Sequence, residues 1–387
     1  MGIGFLPLGA YGSLMLITFP ALLATNHVPE GRIAAITAIG LIPGFAYFLL
    51  TPLLDWRFKR RSYAIGLAIV GGLCLYAAFL SLRNLAVLPI LLFVGYLAIS
   101  LCIAAVGGWF GNLTRTEDQD RLGAWFTVFN LGGGGAVAMV AISLIRGLPY
   151  PVGAGLVSLS VVAALPMFFW LPCPPADKKL ASESFRDFAR DVLTVLRNRT
   201  VLWTLPLFLM PSASFALTNT LGGLGQDFHT SEKLVGLVGG AGVTLAGVFG
   251  SLLIPPLANR LPPRPLYLMV GIVGALFSLS LILAPRTPAV FGLALLGENI
   301  FQAGAFSVAN VIALRSIGKD NPLAATQFGL LIAATGLPLI YMQYLDGQAY
   351  GWRGVNGTLL NDAAISGGAC LLLALVFWLF RRRVPAV

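Results

Sequence analysis

Charge is what this sequence has least of. Asp, Glu, Lys and Arg make up only 10% of its 387 residues. Soluble domains run near ~25% charged, so an ordinary water-soluble enzyme is excluded. Cysteine and histidine are scarce as well. Cys74, Cys102, Cys173 and Cys370 show no metal-ligand spacing and read as inert thiols. The two histidines, His27 and His229, stand just before polar helix starts, where helix-entry roles outweigh a metal site. No G-x-x-x-x-G-K-[ST] loop is present to cradle a nucleotide, and neither H-E-x-x-H nor G-x-S-x-G occurs. No cofactor and no metal are expected.

What fills the chain is apolar. Hydrophobic residues make up 57% of it, and the mean hydropathy is +0.86. Disordered chains are poor in such residues, so disorder is excluded. The 45 glycines and 24 prolines are of the kind that transmembrane helices tolerate. At ~20 apolar residues per crossing, the length accommodates about twelve helices. The apolar runs place them at 4–24, 33–54, 63–82, 86–109, 122–144, 150–171, 201–221, 233–254, 265–284, 288–314, 322–345 and 361–380. No Lys or Arg precedes the first run, so it reads as a span rather than a signal peptide. The expected fold class is an all-α membrane protein of twelve transmembrane helices.

The net charge of +10 then reads as topology. Nineteen of the 25 Lys and Arg fall in the loops after spans 2, 4, 6, 8 and 10 and at the C-terminus. The opposite loops hold one each: Arg32, Arg83, Arg146, Lys233, Arg286 and Arg353. By the positive-inside rule both termini are cytoplasmic. The basic excess is thereby explained, and no nucleic-acid partner is needed.

The chain divides near its middle. The one long polar stretch runs from Pro172 to Arg199, and Phe185, Phe188, Val192 and Val195 lie in it at helical spacing. It suits either an amphipathic helix at the cytoplasmic interface or a solvated tether. The expected domains are 1–171, a linker at 172–199, and 200–387. At an offset of 204 residues, Pro52, Leu53, Asp55, Arg60 and Tyr63 are matched by Pro256, Leu257, Asn259, Arg264 and Tyr267. Slightly shifted, His27 and Glu30 are matched by His229 and Glu232. Two six-helix halves related by a parallel repeat resemble the major facilitator transporters.

One carboxylate stands apart. Nearly all fifteen acids fall in loops, but Glu298 lies ten residues into the tenth span, ~15 Å along the helix axis. A charged carboxylate near the bilayer centre costs ~2.5–3.5 kcal/mol or more, so it should be protonated or paired. That suits proton coupling; the bland alternative is a neutral Glu bonded to a neighbouring helix. Asn299, Gln302 and Asn310 extend the polar run and are candidate substrate ligands. Asn130, before Gly132-Gly133-Gly134-Gly135, is another, although close helix packing explains the glycines more simply. Tyr341 and Tyr344 fit an interfacial aromatic belt as well as ligand contact. Asn219 and Tyr11 are weaker cavity candidates. Asp55 with Arg57, Arg60 and Arg61, and Arg264 in the second half, form charged turns read as gating elements or as topological signals.

Around Glu298-Asn299, the small residues from Gly304 to Ala309 and Ala325-Thr326-Gln327-Phe328, the sequence is similar to the AmpG-type muropeptide permeases of the peptide–acetyl-CoA transporter branch. Thr51-Pro52-Leu53-Leu54-Asp55 and Arg121-Leu122-Gly123-Ala124 agree more loosely. The resemblance implies a monomeric secondary transporter in a bacterial inner membrane, importing a muropeptide-like molecule, a siderophore or a related solute with protons. The solute site would lie between the two halves. The competing readings are a membrane-embedded acyltransferase, a facilitator or exporter without proton coupling, and a non-transporting receptor of the same fold.

Reporter domains fused to either terminus should both read out on the cytoplasmic side, and one inserted after Arg83 on the opposite side. Opposite readings from the two termini would refute the even span count.

Overall fold

The computed structural model describes residues 1–174, 198–318 and 320–380. The amphipathic segment expected around Phe185 to Val195 lies outside them. Among the described residues all regular structure is helical, as required where the bilayer offers backbone groups no water. Among the described residues ten helices are long and apolar enough to cross a membrane: Gly2–Thr25, Glu30–Leu49, Arg60–Leu80, Leu88–Leu113, Thr116–Gly147, Tyr150–Trp170, Glu232–Ala258, Pro263–Ile282, Pro288–Ile317 and Ala324–Leu379.

Two local features bring this to the twelve spans expected. Ala324–Leu379 is two helices joined at a kink, where Arg353 and Gly354 leave helical geometry and Gly354 takes φ 57°. The seventh span is interrupted. Its first helix, Arg199–Leu209, ends where Met210 turns extended (ψ 153°) ahead of Pro211, the conformation that a following proline imposes. The chain then resumes as Leu217–Thr220 and a 3-10 stretch, Leu221–Phe228. The internal repeat also shows in the backbone. His27 (φ 59°) and His229 (φ 54°) both adopt the left-handed conformation just before the helices that open at Glu30 and Glu232.

By packing, the chain forms two compact units. The first comprises Met1–Arg115, Phe129–Val195 and Ile317–Ala333; the second comprises Thr116–Val128, Leu196–Ser316 and Ala334–Val387. Each half of the sequence thus cedes the start of one span. The ceded segments are repeat-related, since the 204-residue offset carries 116–128 onto 320–332, inside 317–333.

Within the first unit Phe19 stacks on Phe79 at 4.5 Å between ring centroids, and Trp109 packs beside Phe110 and Phe168. Lipid tails are as apolar as leucine, so close backbone approach carries much of the helix association. A Cβ on Gly9 would lie 1.9 Å from the Asn130 carbonyl oxygen, and one on Gly134 would lie 2.4 Å from that of Gly9. The glycine run of the fifth span is therefore a packing face against the first span. In the second unit Phe215 stacks on Phe301 at 5.9 Å, and Gly250 meets the Ile300 carbonyl in the same way.

Gly9→Ala should destabilise the detergent-solubilised protein by the ~1–3 kcal/mol that overpacking costs, seen as a lower thermal midpoint. Gly12→Ala, whose Cβ would meet nothing within 4 Å, should leave the midpoint unchanged or raise it.

Candidate functional site

The tenth span carries Glu298 into the interior of the second unit, where it is 0% exposed. The Ser278 hydroxyl, on the ninth span, lies 2.5 Å from Glu298 Oε1. The other carboxyl oxygen of Glu298, Oε2, has no hydrogen-bond partner among the described residues. The same hydroxyl lies 3.1 Å from the Gly274 carbonyl oxygen. A serine carries one proton, so it cannot donate to both. If Glu298 is protonated it donates to Ser278, which then donates to Gly274, and the chain of bonds is complete. An ionised Glu298 would take the only proton of Ser278, break the bond to Gly274 and leave a negative charge buried.

Two further buried acids face it. Asp346 (0% exposed) and Asp362 (2%) both sit in the helical stretch Ala324–Leu379, on either side of its kink. Asp362 lies within electrostatic reach of both Glu298 and Asp346. Asn361 Nδ2 donates to Asp346 Oδ1 at 2.9 Å, while Asp346 Oδ2 and Asp362 Oδ1 are unpartnered. Among the described residues none of the three acids has an ion-pair partner. Sequence reasoning singles out neither aspartate, because the apolar runs end the eleventh span at 345 and begin the twelfth at 361. The usable signal is the Gly351–Gly354 turn, which lets the helix run on past Asp346 before the chain reverses.

The polar neighbours of Glu298 divide. Gln302 Nε2 donates to Thr218 Oγ1 at 2.7 Å and to the Phe215 carbonyl at 3.3 Å, which ties the tenth span to the broken seventh. Asn299 Nδ2 bonds to the Leu295 carbonyl of its own helix at 2.8 Å. Asn310 lies twelve residues from Glu298, ~18 Å along the helix, and donates to Thr127 Oγ1 at 3.2 Å. It belongs to a different contact. Tyr341 donates to the Leu209 carbonyl at 2.8 Å, Tyr344 is 67% exposed, and Asn219 is exposed. Tyr11 and Asn130 belong to the first unit. Tyr11 is fully buried against Tyr96, with its hydroxyl on the Leu91 and Leu92 carbonyls. Asn130 is half-buried in a π-helical turn.

The charged turn after the second span builds a second constellation, inside the first unit. Asp55 and Arg60 are both fully buried and pair at 2.7 Å. Asp55 also accepts the backbone N–H groups of Ala325 (3.2 Å) and Thr326 (2.7 Å) and the Thr326 hydroxyl (2.7 Å). Those amides open the helix that starts at Ala324, so Asp55 caps from a distant part of the chain a terminus that favours negative charge. Arg60 donates in turn to the carbonyls of Asn321 and Pro322. Asn112 exchanges two hydrogen bonds with the Asn321 backbone, and Gly108 lacks the Cβ that would collide with Ala325 N at 2.4 Å.

The second unit joins its ceded segment differently. Arg315 Nη2 donates to both carboxyl oxygens of Asp120, at 2.7 and 2.8 Å, a pair that sequence reasoning does not single out. Asn259, the repeat partner of Asp55, is exposed. Arg264 reaches Thr204 Oγ1 at 3.0 Å and the Thr200 carbonyl. Of the remaining turn residues, Arg57 lies over the Trp56 ring and Arg61 bonds to the Phe169 carbonyl at 2.7 Å. Neither joins the cap. Among the described residues no group of His, Cys, Asp or Glu is arranged to hold a metal ion.

Comparison with known proteins places this architecture. The chain is similar over its whole length to solved transporters. With the proton:xylose symporter XylE, bound to 6-bromo-6-deoxy-D-glucose, it shares 14% identity and a TM-score of 0.71, covering 100% of this chain and 94% of that one. With the E. coli fucose:proton symporter FucP the identity is 13% and the TM-score 0.70, covering 100% and 98%. With a point mutant of the nucleoside transporter NupG they are 15% and 0.58, covering 98% of each chain. No curated protein sequence matches the chain. The family model described as Major Facilitator Superfamily matches residues 1–341. The chain therefore belongs to the major facilitator superfamily and is a transporter, not an enzyme.

Proposed function

We propose that this transporter is a proton-coupled importer of a small polar solute. The observation that carries the reading is the buried, unpaired carboxyl group of Glu298, poised on the Ser278–Gly274 chain with Asp346 and Asp362 nearby. Three acids without a counter-ion are tolerable in a bilayer only when protons neutralise them. Protonation of Glu298 makes the interior neutral and lowers the cost of an occluded state. Asp362 then stands where it receives or shares that proton. Asn299 and Gln302, on the same helix, are the solute ligands closest in sequence. Asp55–Arg60 with the Ala324 helix start, and Asp120–Arg315, serve as gates that hold span ends together in one conformation.

The chemistry of the site bears on the solute. The side chains described around Glu298 are acids, amides and hydroxyls, with no Lys or Arg among them, so a strongly anionic solute fits poorly and a neutral, zwitterionic or cationic one fits better. The sequence resemblance points toward muropeptide-like solutes or siderophores. The structural relatives, described as xylose, fucose and nucleoside transporters, point toward polar neutral molecules. Both belong in the first test.

In proteoliposomes with the outside acidic, wild-type protein should accumulate one member of a panel: anhydro-muropeptide, a siderophore, xylose, fucose and a nucleoside. Glu298→Gln should retain exchange of that solute across the membrane and lose the pH-driven accumulation. Accumulation at the wild-type level in Glu298→Gln would remove this residue from coupling.

Asp55→Asn should depress both thermal stability and uptake. It breaks the buried Asp55–Arg60 pair, a loss of roughly 3–5 kcal/mol. Arg60→Gln in the same background should restore part of the stability, which a melting curve of the single and double variants measures.

A further inference from the structure

The lipid-facing side of the first unit carries a groove that the transport reading leaves unused. It has a volume of about 430 Å³ and lies between the third span, Arg60–Leu80, and the sixth, Tyr150–Trp170, lined by apolar atoms. Ile69, Gly72 and Leu73 form one wall, and Gly155, Leu159 and Val162 the other. Leu73 and Leu159 are largely exposed. Gly155 supplies depth, since a Cβ there would meet only a Tyr76 ring carbon at 3.7 Å, whereas Gly72 lets the sixth span come close, a Cβ there lying 2.9 Å from Val162 Cγ1. At these positions in a bilayer, the medium that meets the groove is hydrocarbon.

Charge lies at one end of the same two helices. Arg61 stands eight residues before Ile69, ~12 Å along the helix axis. Its guanidinium donates to the Phe169 and Leu171 carbonyls and lies over the Phe169 ring. Among the described residues no carboxylate pairs with it. Lys59 is exposed beside it. The third span opens at Arg60 with no side-chain cap and no acid in its first turn, so the positive end of the helix dipole adds to the two cations. Asp55, the nearby acid, is buried against Arg60 and the Ala324 helix start. Phe58, Phe169 and Trp170, the last 91% exposed, stand at the same level, where an aromatic belt meets the headgroups.

We propose that this surface is a specific seat for one anionic phospholipid. One acyl chain lies in the groove, and the phosphate sits at the uncapped start of the third span on Arg61 and Lys59. The spacing suits a lipid, since the groove begins one headgroup-and-glycerol depth below the cations. A free phosphate would use the cations and leave the groove untouched.

Native mass spectrometry of the full chain in detergent micelles tests this with phosphatidylglycerol and phosphatidylcholine of identical acyl chains. Wild type should retain phosphatidylglycerol preferentially. Lys59→Gln with Arg61→Gln should weaken it roughly fivefold for each charge removed. Gly155→Leu, whose Cβ would meet only a Tyr76 ring carbon at 3.7 Å, puts a side chain into the groove and should lower occupancy at an unchanged thermal midpoint. Equal retention of the two lipids would overturn the proposal. Unchanged phosphatidylglycerol binding in Gly155→Leu, or its displacement by glycerol 3-phosphate alone, would do so as well.

Discussion

A charge in the hydrocarbon of a bilayer has no water to turn to, and that constraint organises this protein. With so few charged residues, each one left inside must be neutralised by a proton, an opposite charge or a helix terminus. Glu298, Asp346 and Asp362 have no basic partner among the described residues, so the first remedy is the one open to them. Asp55 and Arg60 use the other two at once. The acid pairs with the guanidinium and also satisfies two amides at the start of a helix. Asp120 and Arg315 use the pair alone. Three remedies for one problem give three kinds of element, and the polar chemistry of the transporter is built from them.

The Asp55 cap shows how a single residue can decide packing. A helix start leaves several N–H groups without intrahelical partners, and inside a membrane these cannot be left bare. The segment beginning at Ala324 has no side chain of its own that supplies the acceptor Asp55 provides. It is bound instead by a carboxylate some 270 residues away in sequence, and Gly108 leaves the space for that approach. Packing then draws residues 317–333 into the unit formed mainly by the first half of the chain. The repeat-related segment, 116–128, is held in the other unit by a different pair, because Asn259 stands where the repeat would have placed the acid. The internal symmetry is thus kept in the path of the backbone and broken in the charges.

The lipid-facing surface follows the same logic from outside. Helices that meet through glycine leave grooves where the partner is not a helix, and the uncapped, basic start of the third span lies above one of them. The groove and the charge are each ordinary alone. Their alignment along one pair of helices at the depth of a lipid is what gives the surface a definite occupant.

Much of this was legible in the order of residues. Hydropathy fixes the spans because each must be apolar for about twenty residues. The repeat could be read because matched turns keep Pro, Leu, Arg and Tyr at one offset. Glu298 stood out because it lies well inside an apolar run. Asp346 and Asp362 did not, since each lies next to a span boundary and hydropathy does not say how far a helix continues beyond its apolar stretch. Nor could the sequence separate Asn310 from Asn299 and Gln302. All three lie on one helix, and only the packing shows that Asn310 meets Thr127 while Gln302 meets the broken seventh span. Sequence by itself determined the class, the number of spans and the place of one buried acid, because those depend on local transfer of side chains into lipid. Which acids meet, which helix start Asp55 caps and which glycines carry a neighbour were decided only by tertiary structure, because they depend on contacts between residues far apart in the chain.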